Sequence, residues 1–203
     1  TMEEGRADLV GLYFLMDPKL EELGLTDDYE KLGKAAYNDY IRNGLMTQLT
    51  RIELGKDIEE AHMRNRQWVS AWVFEKGKEE GVIVKETVDG KTSFEIKDYK
   101  RLRELFGELL REAQRIKSEG DFEAARDLVE NYGVKVDQDV HKEVLERNKK
   151  FKSAPYSGFI NPVLVPEMDD NGEIKTIKVT QPENFEEQMM MYSKNYGFLP
   201  EEN

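Results

Sequence analysis

The chain has 203 residues, a formal net charge of −12 and no cysteine. This acidity argues against a polyanionic partner, so we expect no binding of nucleic acid. The absence of cysteine excludes disulfides and thiolate metal sites. No apolar run approaches the roughly 20 residues that cross a bilayer, and no signal peptide opens the sequence. The lack of such a run predicts no membrane contact. The lack of a signal peptide says little, because this chain is expected to lack its true N-terminus. A cytoplasmic location is expected, with the periplasm as the alternative.

Helix signals dominate the first three quarters of the sequence. Residues 9–16 are apolar on nearly every side, which predicts a helix that is buried all round, and the Asp17-Pro18 pair ends it. A long helix is predicted over 28–53 and ends before Gly55.

The next helix has a start signal that resembles a capping box. Asp57 is the expected N-cap, with Glu60 three residues later, and the helix should reach about Lys76. A hairpin is predicted over 82–96, with its turn at Asp89-Gly90. Three helices follow: an amphipathic helix over 102–116, a helix over 122–132 capped by Asp121, and a helix after Asp137. Phe122 and Phe151 are expected to face inward on the last two.

The composition changes near Ser153. Proline and glycine then interrupt the helical pattern, and a second hairpin is predicted over 163–179 around Asn171-Gly172, followed by a terminal helix whose Met189–Met191 run suits core packing. The sequence thus predicts a mainly α fold with two short β-hairpins. It divides into a helical portion over 1–152 and a hinge with a β-containing segment over 153–203.

Three carboxylates stand at the start of the first helix. Glu4 and Asp8 are four residues apart and share one helix face, whereas Glu3 points about 100° away. Carboxylates in a buried helix must be paired, hydrogen-bonded or bound to a metal. The alternative is that acids collect at this helix N-terminus because they suit its dipole.

The two histidines, His62 and His141, do not make a recognisable metal motif by themselves. No H-E-x-x-H sequence is present. Glu59 and His62 have the i, i+3 spacing of di-iron bundles, but such sites need a second copy, and Gln138 precedes His141 at that position. We expect His141 to be exposed.

The segment Glu3-Glu4-Gly5-Arg6-Ala7-Asp8 resembles the second signature motif, E-E-x-R-A-[ED], of the dipeptidyl peptidase III family of zinc metallopeptidases. The resemblance extends over essentially the whole chain and has a bacterial character. Its further segments are Val10-Gly11-Leu12-Tyr13, Gly44-Leu45, Glu60-Ala61-His62-Met63-Arg64-Asn65-Arg66, Arg115-Ile116-Lys117-Ser118-Glu119-Gly120-Asp121 and Phe159-Ile160-Asn161-Pro162.

The resemblance implies roles for the three carboxylates. Glu4 corresponds to the third zinc ligand, and Glu3 to the carboxylate that orients a zinc-bound histidine. Asp8 stands where animal members have glutamate, in the water network of the catalytic site. Gly5 replaces a cysteine to which no catalytic role is attached.

The resemblance also assigns the cationic residues. His62 corresponds to the histidine that stabilises the oxyanion of the tetrahedral intermediate. Arg66 resembles an arginine that contacts the substrate, and Arg147 is aligned more loosely with the same role. The implied activity is the zinc-dependent release of N-terminal dipeptides from short peptides.

The first family motif, H-E-x-x-G-H, is not present in this chain. The chain is therefore expected to be a C-terminal fragment, part of the helical catalytic lobe, that is inactive alone and lacks bound zinc. One alternative is a non-catalytic helical interaction module. Another is the C-terminal domain of a protein labelled a Nudix hydrolase, although this chain has no Nudix box.

Overall fold

The computed structural model describes residues 1–151 and 158–199, and over these the fold is mainly α with two antiparallel two-stranded sheets, as predicted. It divides into two compact units, Thr1–Phe151 and Lys152–Asn203. The predicted hinge residues 153–157 lie outside the described residues. The assignment of the two parts to a catalytic lobe and a hinge segment stays a prediction.

The first unit contains seven α-helices and one hairpin within its described residues. These are α1 (Met2–Phe14), α2 (Lys19–Glu22), α3 (Tyr29–Leu45), a 3₁₀ helix (Thr47–Arg51), α4 (Ala61–Lys76), β1 (Ile83–Val88), β2 (Lys91–Ile96), α5 (Tyr99–Glu119), α6 (Phe122–Val129), a π-helical turn (Glu130–Val134) and α7 (Gln138–Asn148).

The main core lies among α1, α3, α4 and α5. The predicted amphipathic pattern of α5 is confirmed, because Leu102, Leu105, Phe106 and Leu109 are all buried in it. The ring of Phe106 also meets Tyr37 of α3 edge to face, with centroids 5.0 Å apart. Aromatic pairs of this geometry add to the stabilisation from burial alone.

Helix α1 does not have the predicted burial on every side. Leu9 and Leu12 are buried, whereas Val10 and Phe14 are exposed. The helix packs on α3, α4 and α5, and the side that carries Val10 and Phe14 remains in contact with solvent. Phe122 and Phe151 are likewise exposed, and their predicted inward orientation is wrong.

The predicted helix over 28–53 is broken at Met46. Its backbone has φ −138° and ψ −66°, which interrupts the helix before the 3₁₀ turn begins. Met46 and Leu49 thereby enter a second apolar cluster, together with Val140 and Val144 of α7. Packing in this second cluster therefore accompanies the break.

Helix α4 begins at Ala61, and its N-cap is Glu60 rather than the predicted Asp57. The preceding segment is held out of helical geometry because Ile58 N–H donates to the Val134 carbonyl at 2.9 Å. The Arg64 Nε donates to the Ile58 carbonyl at 2.6 Å. The first bond joins Ile58 to the π-helical turn, and the second joins it to α4. With these bonds made, Ile58 lies before the helix rather than in its first turn.

The second unit contains β3 (Val163–Met168), β4 (Ile174–Thr180) and α8 (Phe185–Tyr196). Within it, Gln188 is buried and links the helix to the preceding segment, since it accepts from Asn161 N–H at 2.6 Å and donates to the Phe159 carbonyl at 2.9 Å. Met189 and Met190 are exposed, so the methionine run does not form a core here.

The β3–β4 hairpin is an amphipathic ribbon. Paired residues of antiparallel strands share a face, and three successive alternate pairs are apolar: Leu164 with Val179, Pro166 with Ile177, and Met168 with Ile174. Five of these side chains are 51–62% exposed. Strand β3 also carries a register irregularity at Glu167/Met168.

Among the described residues, no helix combines the length and the apolar character that crossing a membrane requires.

Candidate functional site

The candidate site lies where α1 and α4 come close together. Gly5 of α1 packs on the buried indole of Trp68, and a Cβ added at this glycine would lie 2.6 Å from Trp68 Cε2 and closer still to Cζ2. Gly44 of α3 approaches α4 in the same way, since its added Cβ would meet the Arg66 carbonyl oxygen at 2.5 Å. The glycines thus set the short spacing of the three helices.

Glu4 and His62 face each other across this contact. The distance from Glu4 Oε2 to His62 Nδ1 is 3.3 Å, and the two side chains are 44% and 58% exposed. The pair joins the first turn of α1 to the first turn of α4, from residues 58 positions apart in sequence. The structure therefore brings together the predicted metal ligand and the predicted oxyanion donor.

The N-cap of α4 fixes the backbone at His62. The carboxylate of Glu60 accepts from His62 N–H at 2.9 Å and from Met63 N–H at 2.8 Å. The bond from His62 N–H has the larger effect, and together the two bonds hold the pKa of the Glu60 carboxyl below its usual value. An ionised cap satisfies free N–H groups of the first turn and also suits the helix dipole.

Asp8 lies one turn beyond Glu4 and contacts a tyrosine of α3. The Tyr40 hydroxyl donates to Asp8 Oδ2 at 3.0 Å and has a longer contact of 3.5 Å to Oδ1 of the buried Asn65. Burial, together with the Asp8 charge, raises the pKa of Tyr40 well above its usual value, whereas Arg66 acts in the opposite direction. The phenol is thus a stable hydrogen-bond donor.

Arg66 is half-buried on α4, one turn after His62. Within the part of the chain that the structure describes, its guanidinium makes no hydrogen bond and no ion pair. Its positive charge nevertheless acts on Tyr40 and on Glu60. The donors of Arg66 are therefore available to a bound anion or carbonyl group.

Glu3 is not placed with the Glu4–His62 pair. It forms ion pairs with Arg6, at 2.5 Å between Arg6 Nη2 and Glu3 Oε1, and with Lys117 of α5. Its different helix face explains this separation. Glu3 does not contact His62 in the described residues. Its role in orienting a zinc-bound histidine stays a prediction.

Arg147 is placed at a separate cleft of about 250 Å³, lined also by Arg42, Phe94 and Val144. Its Nη1 donates to the Thr92 carbonyl at 2.9 Å and pairs with Glu143 at 3.0 Å. In the described residues no contact joins Arg147 to Glu4 or His62. The predicted substrate contact would therefore be made at a distance from the Glu4–His62 pair.

The expectation that His141 is exposed is wrong. This side chain is completely buried, and its Nε2 lies 3.1 Å from the Ile52 carbonyl oxygen. Its Nδ1 is buried without a partner among the described residues. His141 thus joins α7 to the end of the 3₁₀ helix and contributes to the fold.

The described residues do not by themselves fit a zinc site. Over 1–151 and 158–199, no group of three or more His, Asp or Glu side chains is close enough to hold one metal ion. Zinc sites use three or four protein ligands, whereas Glu4 offers one carboxylate beside a single imidazole. A zinc ion here would need further ligands from outside these residues.

Sequence reasoning missed Tyr40 and Asn65 as members of this site. The spacing of Tyr40 within the predicted helix over 28–53 fits the apolar face of that helix, and this pattern indicates packing only. A tyrosine on a buried face nevertheless needs a partner for its hydroxyl, and this requirement is the signal that indicates a polar group opposite it.

One comparison with known proteins found a match. The family model described as Peptidase family M49 matches residues 1–180, which include α1, α3 and α4. No curated protein matches the chain.

Proposed function

Because the chain belongs to peptidase family M49, the dipeptidyl peptidase III family, we propose that it is part of a zinc-dependent enzyme that releases dipeptides from the N-termini of short peptides. The peptidase activity follows from the family. The zinc dependence and the dipeptide product are the proposal, and they rest on the resemblance of the Glu3–Asp8 segment to the second family motif.

The observation that carries the proposal is the Glu4–His62 contact of 3.3 Å. A carboxylate and an imidazole from two distant segments meet at an accessible surface, as a shared catalytic centre requires. In the proposal Glu4 would be one zinc ligand, and the histidines of an H-E-x-x-G-H motif outside these residues would supply the others. Glu3 would orient one of those histidines.

His62 and Arg66 would act on the peptide. The accessible imidazole of His62 can donate a hydrogen bond to the oxyanion that develops at the scissile carbonyl. Arg66 has donors free within the described residues and lies one helical turn away, so it can hold a peptide carbonyl beside His62. Asp8 would order water near Glu4, and Arg147 would contact a more distant part of the peptide.

The roles of Glu4 and His62 can be separated in the intact peptidase. We expect Glu4→Ala to lose zinc, and His62→Ala to keep zinc while kcat falls by about 10²–10³-fold, the usual loss for one oxyanion donor. Zinc content by atomic absorption and steady-state hydrolysis of a dipeptidyl arylamide provide the readouts. Glu53→Gln is the matched control, because Glu53 is exposed and lies outside the site.

The opposite pattern, with zinc lost from His62→Ala and retained by Glu4→Ala, would show that the two roles are reversed. Intact wild-type protein that binds zinc but releases only single amino acids would contradict the proposed dipeptide product.

The 203-residue chain alone should show neither turnover nor tight zinc binding, since Glu4 is its single proposed ligand. Isothermal titration with zinc and the same arylamide assay test this expectation. Stoichiometric binding with a submicromolar Kd, or turnover above background, would contradict it.

A further inference from the structure

Two tyrosines of α3 donate their hydroxyl groups to α1, but they bind different kinds of acceptor. The Tyr37 hydroxyl is 2.8 Å from the Leu12 carbonyl oxygen, so it binds the backbone. The Tyr40 hydroxyl is 3.0 Å from Asp8 Oδ2, so it binds a side chain. Both bonds join the same two helices, yet only the second can determine where a carboxylate points.

The Tyr40 hydroxyl has one proton, and the geometry assigns it to Asp8. The carboxylate oxygen is nearer than the amide oxygen of Asn65, which lies 3.5 Å away. It also carries charge, and hydrogen bonds to charged acceptors are stronger than bonds between neutral groups. Burial and the charge of Asp8 raise the pKa of Tyr40 well above its usual value, so the hydroxyl keeps this proton near neutral pH.

The contact lies one turn further along both helices than the Glu4–His62 pair. Asp8 follows Glu4 by four residues on α1, and Asn65 follows His62 by three residues on α4, so each pair shares a helix face. Asp8 is partly accessible, whereas Asn65 is buried. Without a bond to Tyr40, the Asp8 side chain could rotate toward solvent.

We propose that Tyr40 is a positioning residue: its hydroxyl holds the Asp8 carboxylate between α1, α3 and α4, on the helix face from which Glu4 reaches His62. The effect on reaction rate rests on the proposed peptidase function. The positioning of Asp8 is a property of this chain and can be measured without activity.

The first experiment uses the chain itself and compares Tyr40→Phe with Tyr37→Phe. Each variant removes one hydroxyl that joins α3 to α1, so both should lower the urea midpoint. With aspartate labelled by ¹³C at the carboxyl carbon, we expect the Asp8 signal to shift in Tyr40→Phe and to stay in place in Tyr37→Phe. An Asp8 signal that is unchanged in Tyr40→Phe would overturn the proposal.

The second experiment uses the intact peptidase. Loss of a group that orients a functional side chain reduces activity by about 10–100-fold, so Tyr40→Phe should lower kcat by this factor with unchanged KM and zinc content. Tyr37→Phe should leave kcat unchanged, although its stability falls. Equal kcat values for the two variants would overturn the proposed effect of Tyr40 on rate.

The two experiments separate this inference from the proposed function. If intact wild-type protein binds zinc but has no peptidase activity, the proposed function fails. The Asp8 signal then decides the positioning role alone: a shift confined to Tyr40→Phe supports it, and an unchanged signal overturns it.

Discussion

Replacing a glycine of α1 by alanine should lower the free energy of unfolding at Gly5 and raise it at Gly11. A Cβ added at Gly5 would lie 2.6 Å from Trp68 Cε2, whereas a Cβ added at Gly11 would meet no heavy atom within 4 Å. Trp68 is completely buried, and carbon atoms pack at about 3.5–4.0 Å. The nearest ring atom, Trp68 Cζ2, would be only 2.0 Å from the added Cβ, so Gly5→Ala requires the helix or the indole to move by about 1.5–2 Å.

The magnitudes follow from two effects. Overpacking of a buried site costs about 1–3 kcal/mol, and replacing glycine by alanine inside a helix returns about 0.5–1 kcal/mol. Because the added Cβ would overlap a completely buried ring, the overpacking cost lies toward the upper end of its range, and Gly5→Ala should destabilise the first unit by about 2 kcal/mol. Gly11→Ala has only the second effect, so it should stabilise the protein by about 0.5–1 kcal/mol.

Urea unfolding followed by tryptophan fluorescence measures both changes, because the two tryptophans of the chain, Trp68 and Trp72, lie on α4. A neutral or stabilising effect of Gly5→Ala, together with the expected gain for Gly11→Ala, would refute the reasoning. It would mean that the indole can move at little cost and that Gly5 does not set the spacing of α1 and α4.

Three further changes test other parts of the structure. Glu60→Ala should lower the free energy of unfolding by about 1 kcal/mol through loss of the α4 cap, and Glu59→Ala is the control. Backbone hydrogen bonds lower the pKa of Glu60. The loss of stability in Glu60→Ala should therefore be present near neutral pH and disappear as the pH falls through the pKa of Glu60 in the folded protein. His141→Ala should cost about 2–4 kcal/mol in urea unfolding, since it leaves a cavity and an unpaired Ile52 carbonyl. In hydrogen exchange, residues 163–179 should exchange faster than α5, because an isolated two-stranded hairpin is marginal in water.

Each of these expectations has a contrary outcome. A Glu60→Ala penalty that stays constant while the pH is lowered through the titration of Glu60 would show that the cap does not act through its ionised form. Stability of His141→Ala equal to wild type would mean that water replaces the imidazole. Protection of residues 163–179 equal to that of α5, in a monomer, would show that the hairpin is an integral part of the fold.

The sequence predicted the elements whose local signals and packing agree. Helix α5 follows the 3.6-residue apolar period from Leu102 onward, and β1 and β2 flank Asp89-Gly90 as the turn signal requires. The break at Met46 could not be predicted in this way. Residues 45–53 continue a helical pattern, and the break coincides with packing against α7, which is distant in sequence.

Four residues of the candidate site, Glu4, Asp8, His62 and Arg66, were predicted, whereas Tyr40 and Asn65 were missed and the geometry was predicted only in part. Helix periodicity places Glu4 and Asp8 on one face and Glu3 on another, and the structure shows this separation. The Glu4–His62 contact depends on the close approach at Gly5 and Gly44, which no local pattern encodes. The buried position of His141 depends likewise on a backbone carbonyl of another segment.

The amphipathic β3–β4 ribbon has a consequence for how the chain behaves in concentrated solution. Pro166 lacks an N–H, the irregularity at Glu167/Met168 distorts the same strand, and Lys175 and Lys178 place charge on the other one. Such features discourage the edge-to-edge pairing that builds fibrils. The apolar face of the hairpin can still pack against the same face of a second copy, without strand-to-strand hydrogen bonds. Self-association should therefore be reversible, should increase with salting-out ions and should not seed amyloid growth.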